Sequence, residues 1–181
     1  DSDHFNGNFE INEISNTVAN IIPYECKYED SFPICYLFIA IIDDNKNIKI
    51  LKYKYNSTQK QFSQITNKVF ELINSDGYHS KSKSNNVSCQ IMTYSSTNNI
   101  LSCFYENENS ELGVINIDPD TLKQDNSKQI KLTKNSGASH IKSALYSYNE
   151  KALVCYINDK SNLACIIYEI NTNQWLLEYK Y

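Results

Sequence analysis

The chain has 181 residues and a formal net charge of -4, with 41% hydrophobic and 21% charged residues. That is enough apolar material for one packed domain, or a piece of a larger one, and too much for general disorder. All 17 Lys+Arg residues are Lys. With no Arg to fork onto phosphate or guanine and a pI of ≈ 5.4, nucleic-acid reading and arginine-based anion clamps are excluded. No apolar run reaches the ~18 residues of a membrane-crossing helix; the best, Ile34 to Ile42, is short and contains Cys35 and Tyr36. The chain opens acidic, at Asp1 and Asp3, without the basic-then-apolar pattern of a secretory leader, so a mature or excised polypeptide is expected.

In chain order, Ile11, Ile14, Val18 and Ile21 recur at helical spacing until Pro23, although β-branched residues also allow an irregular strand there. Ile34 to Ile42 reads as a buried strand, Asp43 to Asn47 as a turn, and Ile48 to Tyr55 as an alternating return strand. Gln61 to Asn74 leaves both options open: Phe62, Ile65, Val69 and Ile73 suit a short helix, Phe70 and Leu72 a strand around Val69. Ser75-Asp76-Gly77 is a turn and Ser80 to Asn86 a polar loop.

The six cysteines are Cys26, Cys35, Cys89, Cys103, Cys155 and Cys165. Six thiols allow fifteen pairings, but each close pair flanks a polar, turn-forming segment within strand-like sequence. Adjacent hairpin strands place two cysteines side by side, so three local disulfides are expected: Cys26–Cys35, Cys89–Cys103 and Cys155–Cys165. Such bridges belong to an oxidising, extracellular or cell-surface compartment. The sequons at Asn56 and Asn86 are consistent with glycosylation there, and there is no CxxC or close His pair to suggest zinc.

A faint internal repeat carries the architecture. "YSSTNNILSCFY", from Tyr94, matches "YSYNEKALVCYI", from Tyr146, at an offset of 52 that aligns Cys103 with Cys155. With a one-residue slip, "SELGVINID" runs beside "SNLACIIYEI", and Lys128 to Leu132 and Gln174 to Tyr179 follow as further short strands. The Cys35 region resembles the unit loosely. A repeated four-stranded antiparallel unit of about 40–60 residues resembles a β-propeller blade, which hides its faces by packing on the next. The expectation is an all-β chain of about three blade-like repeats (17–80, 87–133 and 138–181) in a single domain or propeller fragment. Three blades do not close a ring, so more chain or a second chain would complete it. A lipocalin-like barrel and a β-sandwich are the alternatives. The stretch Val87 to Tyr179 resembles secreted, disulfide-stapled propellers of the kelch or semaphorin kind at blade level, without a kelch double glycine or a WD dipeptide. The abundance of Asn, Ile, Lys and Tyr, with no Arg, resembles the protein style of malaria-type parasites with AT-rich genomes.

Catalytic motifs are absent: there is no HExxH, GxSxG, GxGxxG or P-loop. His4, His79 and His140 are scattered in polar sequence, and paired cysteines cannot act as nucleophiles. Asp43-Asn45-Asn47 has EF-hand spacing but is followed by Ile48 and Lys54 where a glycine and a bidentate glutamate belong. Asp118-Pro119-Asp120-Thr121 reads as a turn. No metal and no cofactor is expected. Fourteen Tyr, seven Phe and one Trp favour protein recognition, because Tyr and Trp combine a rigid ring with a polar tip. Tyr146, Tyr148 and Trp175 are the candidate contact residues; Lys123, Lys128, Lys131, Lys134 and Lys142, near a lone Asp125, read as a solvated strand face, with steering of an acidic partner or glycan as the alternative. Together these features imply a non-enzymatic extracellular protein-binding or adhesion module of a parasite surface or secreted host-interaction or invasion protein. A small-ligand barrel and a carbohydrate-active propeller are the alternatives.

Overall fold

The computed structural model describes residues 17–29, 32–42, 47–56, 61–72, 86–94, 98–106, 111–124, 130–131 and 137–180. Its strands are β1 (Thr17–Glu29), β2 (Phe32–Ile42), β3 (Ile48–Asn56), β4 (Gln61–Leu72), β5 (Val87–Tyr94), β6 (Asn98–Glu106), β7 (Leu112–Ile117), β8 (Ile130–Lys131), β9 (Ser139–Tyr146), β10 (Lys151–Ile157), β11 (Leu163–Glu169) and β12 (Gln174–Lys180). They form three separate four-stranded sheets, ordered β1-β2-β3-β4, β5-β6-β7-β8 and β9-β10-β11-β12. Every pairing is antiparallel between chain neighbours. The chain is therefore all-β, and among the described residues no sheet closes on itself, which removes the lipocalin-like barrel. Short polar connections favour neighbour-to-neighbour pairing over the long crossover that barrel closure or a Greek key needs.

Gln61–Leu72 is a strand, with Tyr55 and Phe62 paired across β3–β4 and their rings 4.9 Å apart. Val18 and Ile21 lie in β1 and not in a helix. Pro23 does not end that element; it sits where the β1–β2 register shifts, between Pro23 and Cys26. An edge strand tolerates Pro at such an irregularity. Ile11 and Ile14 lie outside the described residues, as do Asp43 and Asn45. Among the described residues there is no helix long and apolar enough to cross a membrane.

The sheets stack face to face, the second between the other two. Ile22, Phe38, Ala40, Ile42, Ile48 and Ile50 of the first sheet pack against Val87, Cys89, Leu101, Cys103, Tyr105, Ile115 and Ile117 of the second. The opposite face of the second sheet sends Met92, Ile100, Phe104, Leu112 and Val114 against Ile141, Ala152, Val154, Tyr156, Ala164, Ile166 and Tyr168 of the third. Covered on both sides, β7 is buried at every position, whereas β10 alternates between the core and a more open outer face. Each large side chain so buried contributes ~1.5–3 kcal/mol. Gly113 stands where a Cβ would lie 2.9 Å from the Tyr105 ring, so β7 needs a glycine to let that ring lie across it.

The first strands of the three sheets adjoin: β1 touches β5 and β5 touches β9. They are joined by side chains. Cys89 N donates to Asn20 Oδ1 at 2.6 Å, Ser88 and Ser143 share a hydroxyl contact at 2.7 Å, and Gln90 Nε2 donates to Ser143 O at 2.9 Å. Further along, Thr93 N donates to Asn149 O at 2.9 Å, so β5 and β9 run in the same direction. A buried chain ties the second sheet to the third. Ser102 Oγ donates to Asn116 Oδ1 at 2.6 Å, Asn116 Nδ2 to Tyr168 Oη at 2.8 Å, and Tyr168 Oη to Asn173 Oδ1 at 2.8 Å.

All six cysteines are paired as their spacing implies: Cys26–Cys35, Cys89–Cys103 and Cys155–Cys165. Each pair occupies directly opposed positions of neighbouring strands, the placement antiparallel geometry offers for a short cross-strand bridge. Three such bonds fit an oxidising environment.

Candidate functional site

The parallel first strands bring the β5–β6 and β9–β10 turns, and the segment after β7, to one end of the molecule. Two features stand out there. The first is a groove of ≈ 800 Å³ between the first and second sheets, lined by Tyr24, Tyr94, Asn98, Asn99, Ile100, Asp118 to Thr121, Lys123 and Gln124. The second is the turn Ser147 to Glu150, whose backbone is bonded to the end of β5 through Thr93.

The groove wall is built by residues 118–124. Asp118 Oδ1 accepts from the backbone N–H of Asp120 at 2.8 Å and of Thr121 at 3.0 Å, an Asx turn of the kind Asp-Pro-Asp favours. Leu122 N returns to Asp118 O at 2.8 Å, and Asp118 N donates to Lys123 O at 2.9 Å. This closure needs a left-handed residue, Leu122, with φ 53°. The buried Leu122 side chain then plugs the core between the first and second sheets. Partial burial pulls the Asp118 carboxyl upward. The bonds from Thr121 and Asp120, together with the Lys52 charge, outweigh that effect and hold it below the ordinary carboxylate range.

Lys52 fixes the wall from the other side. On β3 it follows Ile48 and Ile50 on the face turned to the second sheet, and it is 6% exposed. Its Nζ donates to Pro119 O at 2.8 Å and lies 3.4 Å from Asp120 Oδ1. The same ammonium sits 5.3, 5.1 and 5.5 Å from the ring centroids of Tyr24, Tyr36 and Phe38. Three aromatic faces and a carbonyl replace its hydration, so a buried charge holds the 118–121 turn against the first sheet. The signal was present in the sequence: a lysine interrupting the inward Ile48–Ile50 alternation of an apolar strand. Gln124, at the far side of the groove, has its Nε2 buried with no hydrogen-bond partner among the described residues.

The Ser147–Glu150 turn has a different construction. Ser147, Tyr148 and Asn149 all have left-handed backbone, at φ 52°, 55° and 64°. For Ser and Tyr that conformation costs of order 1 kcal/mol or more each. Glu150 N to Ser147 O (3.0 Å), Thr93 N to Asn149 O (2.9 Å) and Ile170 N to Glu150 O (3.0 Å) hold it in place. The result is a Tyr148 side chain 94% exposed, with Tyr146 beside it at 39%.

Of the residues singled out from sequence, Tyr146 and Tyr148 are brought together on this turn and Trp175 is not. Trp175 lies on β12, at the opposite edge of the third sheet, where its ring is half-buried 5.2 Å from that of Tyr168 and 6.0 Å from that of Phe104. Its Nε1 is buried with no hydrogen-bond partner among the described residues. Lys123 and Lys142 are exposed and Lys131 lies on β8, while Lys128, Lys134 and Asp125 fall outside the described residues. Asn56 ends β3. Asn86 is half-buried just before β5, and the Ser88 hydroxyl of its sequon is engaged with Ser143. His140 is exposed, with Nδ1 3.2 Å from Ser139 Oγ, whereas His4 and His79 are outside the described residues. No group of His, Cys, Asp or Glu among the described residues is placed to hold a metal ion. The groove was not legible as a site beforehand, because its lining comes from β1, the β5–β6 hairpin and the segment after β7.

No family model and no curated protein matches the chain. Among solved structures, it is similar to a fucose lectin from Kordia zhangzhouensis, whose structure is in complex with methyl-fucoside. The TM-score is 0.47 and the identity 11%, over 90% of this chain and 97% of that one. Nothing about this chain's ligand follows from a likeness of that size.

Proposed function

We propose that the protein is a non-enzymatic extracellular binding module, part of a parasite surface or secreted host-interaction protein, whose three meanders are blade-like units of a partial propeller serving adhesion to a protein partner. The carrying observation is the Tyr148 turn. Three successive left-handed residues, bonded to β5 on one side and to the end of β11 on the other, present an aromatic ring almost wholly to solvent. Backbone strain held in place by surrounding bonds, beneath a rigid aromatic with a polar tip, suits a recognition contact better than a connecting turn. Three antiparallel meanders stacked face to face, with adjoining first strands, support reading them as blades. The arginine-free composition supports the parasite source, and the cystines support the compartment.

The test uses the intact, oxidised protein, labelled and offered to cells. Binding should be saturable and abolished by protease treatment of the cells, and Tyr148→Ala should weaken it by about 30-fold, as expected for a ~2 kcal/mol hot spot. Binding unchanged by Tyr148→Ala, or indifferent to protease, would remove the reading. Six free thiols in the native protein, counted by mass, would remove the compartment.

A further inference from the structure

The geometry points to the groove between the first and second sheets as a saccharide site that takes a neutral sugar. The inference rests on reading this end of the molecule as a binding surface, and it assigns the ligand class of a part that the Tyr148 turn does not cover.

The size falls within the ~300–1,000 Å³ of small-ligand sites, at ≈ 800 Å³. The lining excludes most ligand classes. Apolar ligands want apolar walls, and here Asn98, Asn99, Asp118, Asp120, Thr121 and Gln124 outnumber Ile100 and Pro119. Phosphates, sulfates and carboxylated sugars meet two aspartates against the single exposed lysine of the lining, Lys123, and no arginine; the buried Lys52 is already committed to Pro119 O and Asp120. Asp118 is held below the ordinary carboxylate range and so stays charged at any physiological pH. A lone metal ion finds no ready ligand cluster among the described residues.

A polyhydroxylated, uncharged ring fits what remains. Sugar hydroxyls donate and accept at once, so they can use carboxylate, amide oxygen and amide nitrogen in one small space. Asp118 accepts from the backbone amides of Asp120 and Thr121 on Oδ1 and from the Thr121 side chain, and a carboxylate has about four lone-pair sites, so it can take a further donor. Half-buried Tyr24 and Tyr94 line the groove beside these polar groups. The wall is also pre-organised. The Asx turn and the Lys52 clamp fix residues 118–121 before any ligand arrives, which lowers the ordering cost of a weak, small ligand.

The experiment is saturation-transfer NMR on the intact, oxidised chain. The probes are methyl glycosides of neutral hexoses, 6-deoxyhexoses and N-acetylhexosamines, beside N-acetylneuraminic acid and a hexose 6-phosphate. At least one neutral glycoside should receive saturation and neither anion should. Tyr94→Ala, and the double change Asn98→Ala with Asn99→Ala, should each weaken binding about tenfold or more, the scale of one or two lost ligand contacts. Asn98 and Asn99 are both exposed, so the double variant keeps the fold and remains informative if Tyr94→Ala does not fold. No response to any neutral glycoside, an equal response to the anions, or full binding by the double variant overturns the assignment. Protease-sensitive cell binding that needs Tyr148, in the absence of any sugar response, overturns the sugar site alone. A sugar response without protein-dependent cell binding overturns only the proposed function.

Discussion

The second and third sheets come from the two matching stretches of sequence, yet they use their cystines on opposite faces. An alignment at constant offset sets Cys103 beside Cys155. In the structure Cys103 faces the first sheet and is 0% exposed, whereas Cys155, next to the inward-facing Val154 and Tyr156, turns to the outer face of the third sheet. The cause is one residue in a turn. Tyr94 pairs with Asn98 across the first hairpin of the second sheet, and Tyr146 with Lys151 across that of the third. The longer turn advances the return strand by one, and with a side-chain period of two a one-residue slip exchanges the faces. Structurally, Cys103 corresponds to Tyr156. The bridges follow suit: Cys103 joins back to β5, and Cys155 joins forward to β11. The disulfides of the two units thus staple different hairpins, β5–β6 in one and β10–β11 in the other.

The largest expected effect tests that difference directly. The two bridges close chain separations of 14 and 10 residues, so loop entropy alone makes either worth about 3 kcal/mol. Replacing Cys89 and Cys103 with Ala should cost a further ~1 kcal/mol or more, because the pair fills the core between two sheets and leaves a cavity. Replacing Cys155 and Cys165 should not carry that addition. Urea midpoints of the two double variants measure the gap; equal midpoints would mean that burial on opposite faces has no energetic consequence.

The same contrast explains what could be read in the sequence. The local pairing of cysteines, the β2–β3 hairpin and the strand after Asn162 are set by neighbours in the chain: an apolar run, a polar turn, an apolar return. Gln61–Leu72 was ambiguous because Phe62, Ile65 and Val69 fit a helix, and its strand state is decided by pairing with β3. The repeated antiparallel unit was visible, but its phase was not, because the phase depends on turn length. Of the aromatics named from sequence, Tyr146 and Tyr148 share one turn because they are two residues apart, whereas Trp175 lies away from them, half-buried against Phe104 and Tyr168; a lone tryptophan looks alike in sequence as a surface residue and as a wedge. Lys52 stood only as a member of the alternating return strand; its burial is set by three rings of its own sheet and by the Pro119 carbonyl from across the sheet junction.

Next in size is the polar chain between the second and third sheets. Tyr168→Phe keeps the ring contacts with Phe104 and Trp175 but removes the hydroxyl that accepts from Asn116 and donates to Asn173. A buried amide left short of a partner costs about 1–3 kcal/mol. Asn116→Ala should cost a similar amount by orphaning the Ser102 hydroxyl. The double variant should cost less than the sum, since both changes break one network. Additive losses in a thermal-melting cycle would show that the chain is not a unit.

Smaller again is the clamp on the groove. Lys52→Met keeps the stem and removes the charge, so stability should change by no more than about 1 kcal/mol in either direction, as buried ion contacts are often replaceable by apolar volume. Ligand binding in the groove should fall several-fold, because residues 118–121 lose their tie to the first sheet. A fall in stability with no change in binding would make Lys52 a packing residue only.

The smallest effect separates the two turns by pH. The Asp118 carboxyl is held low by the amides it accepts from, whereas the Ser147–Glu150 turn is held by backbone bonds that do not titrate. A depressed folded-state value means that the stabilisation is fully present above the unfolded carboxyl value of about 3.9. It is lost as pH falls through the lower folded value. An exposed carboxylate is screened, so the contribution stays under about 1 kcal/mol. Asp118→Asn retains an oxygen for the same amides but cannot titrate. Its melting temperature should therefore lie slightly below that of the parent above pH ~5 and converge with it in more acid solution, while amide signals of Thr93 and Glu150 stay unmoved in both. Shifts of the Thr93 and Glu150 amides that track the Asp118 titration would mean that the groove and the tyrosine turn are one coupled surface, and the two binding elements would then have to be treated as a single site.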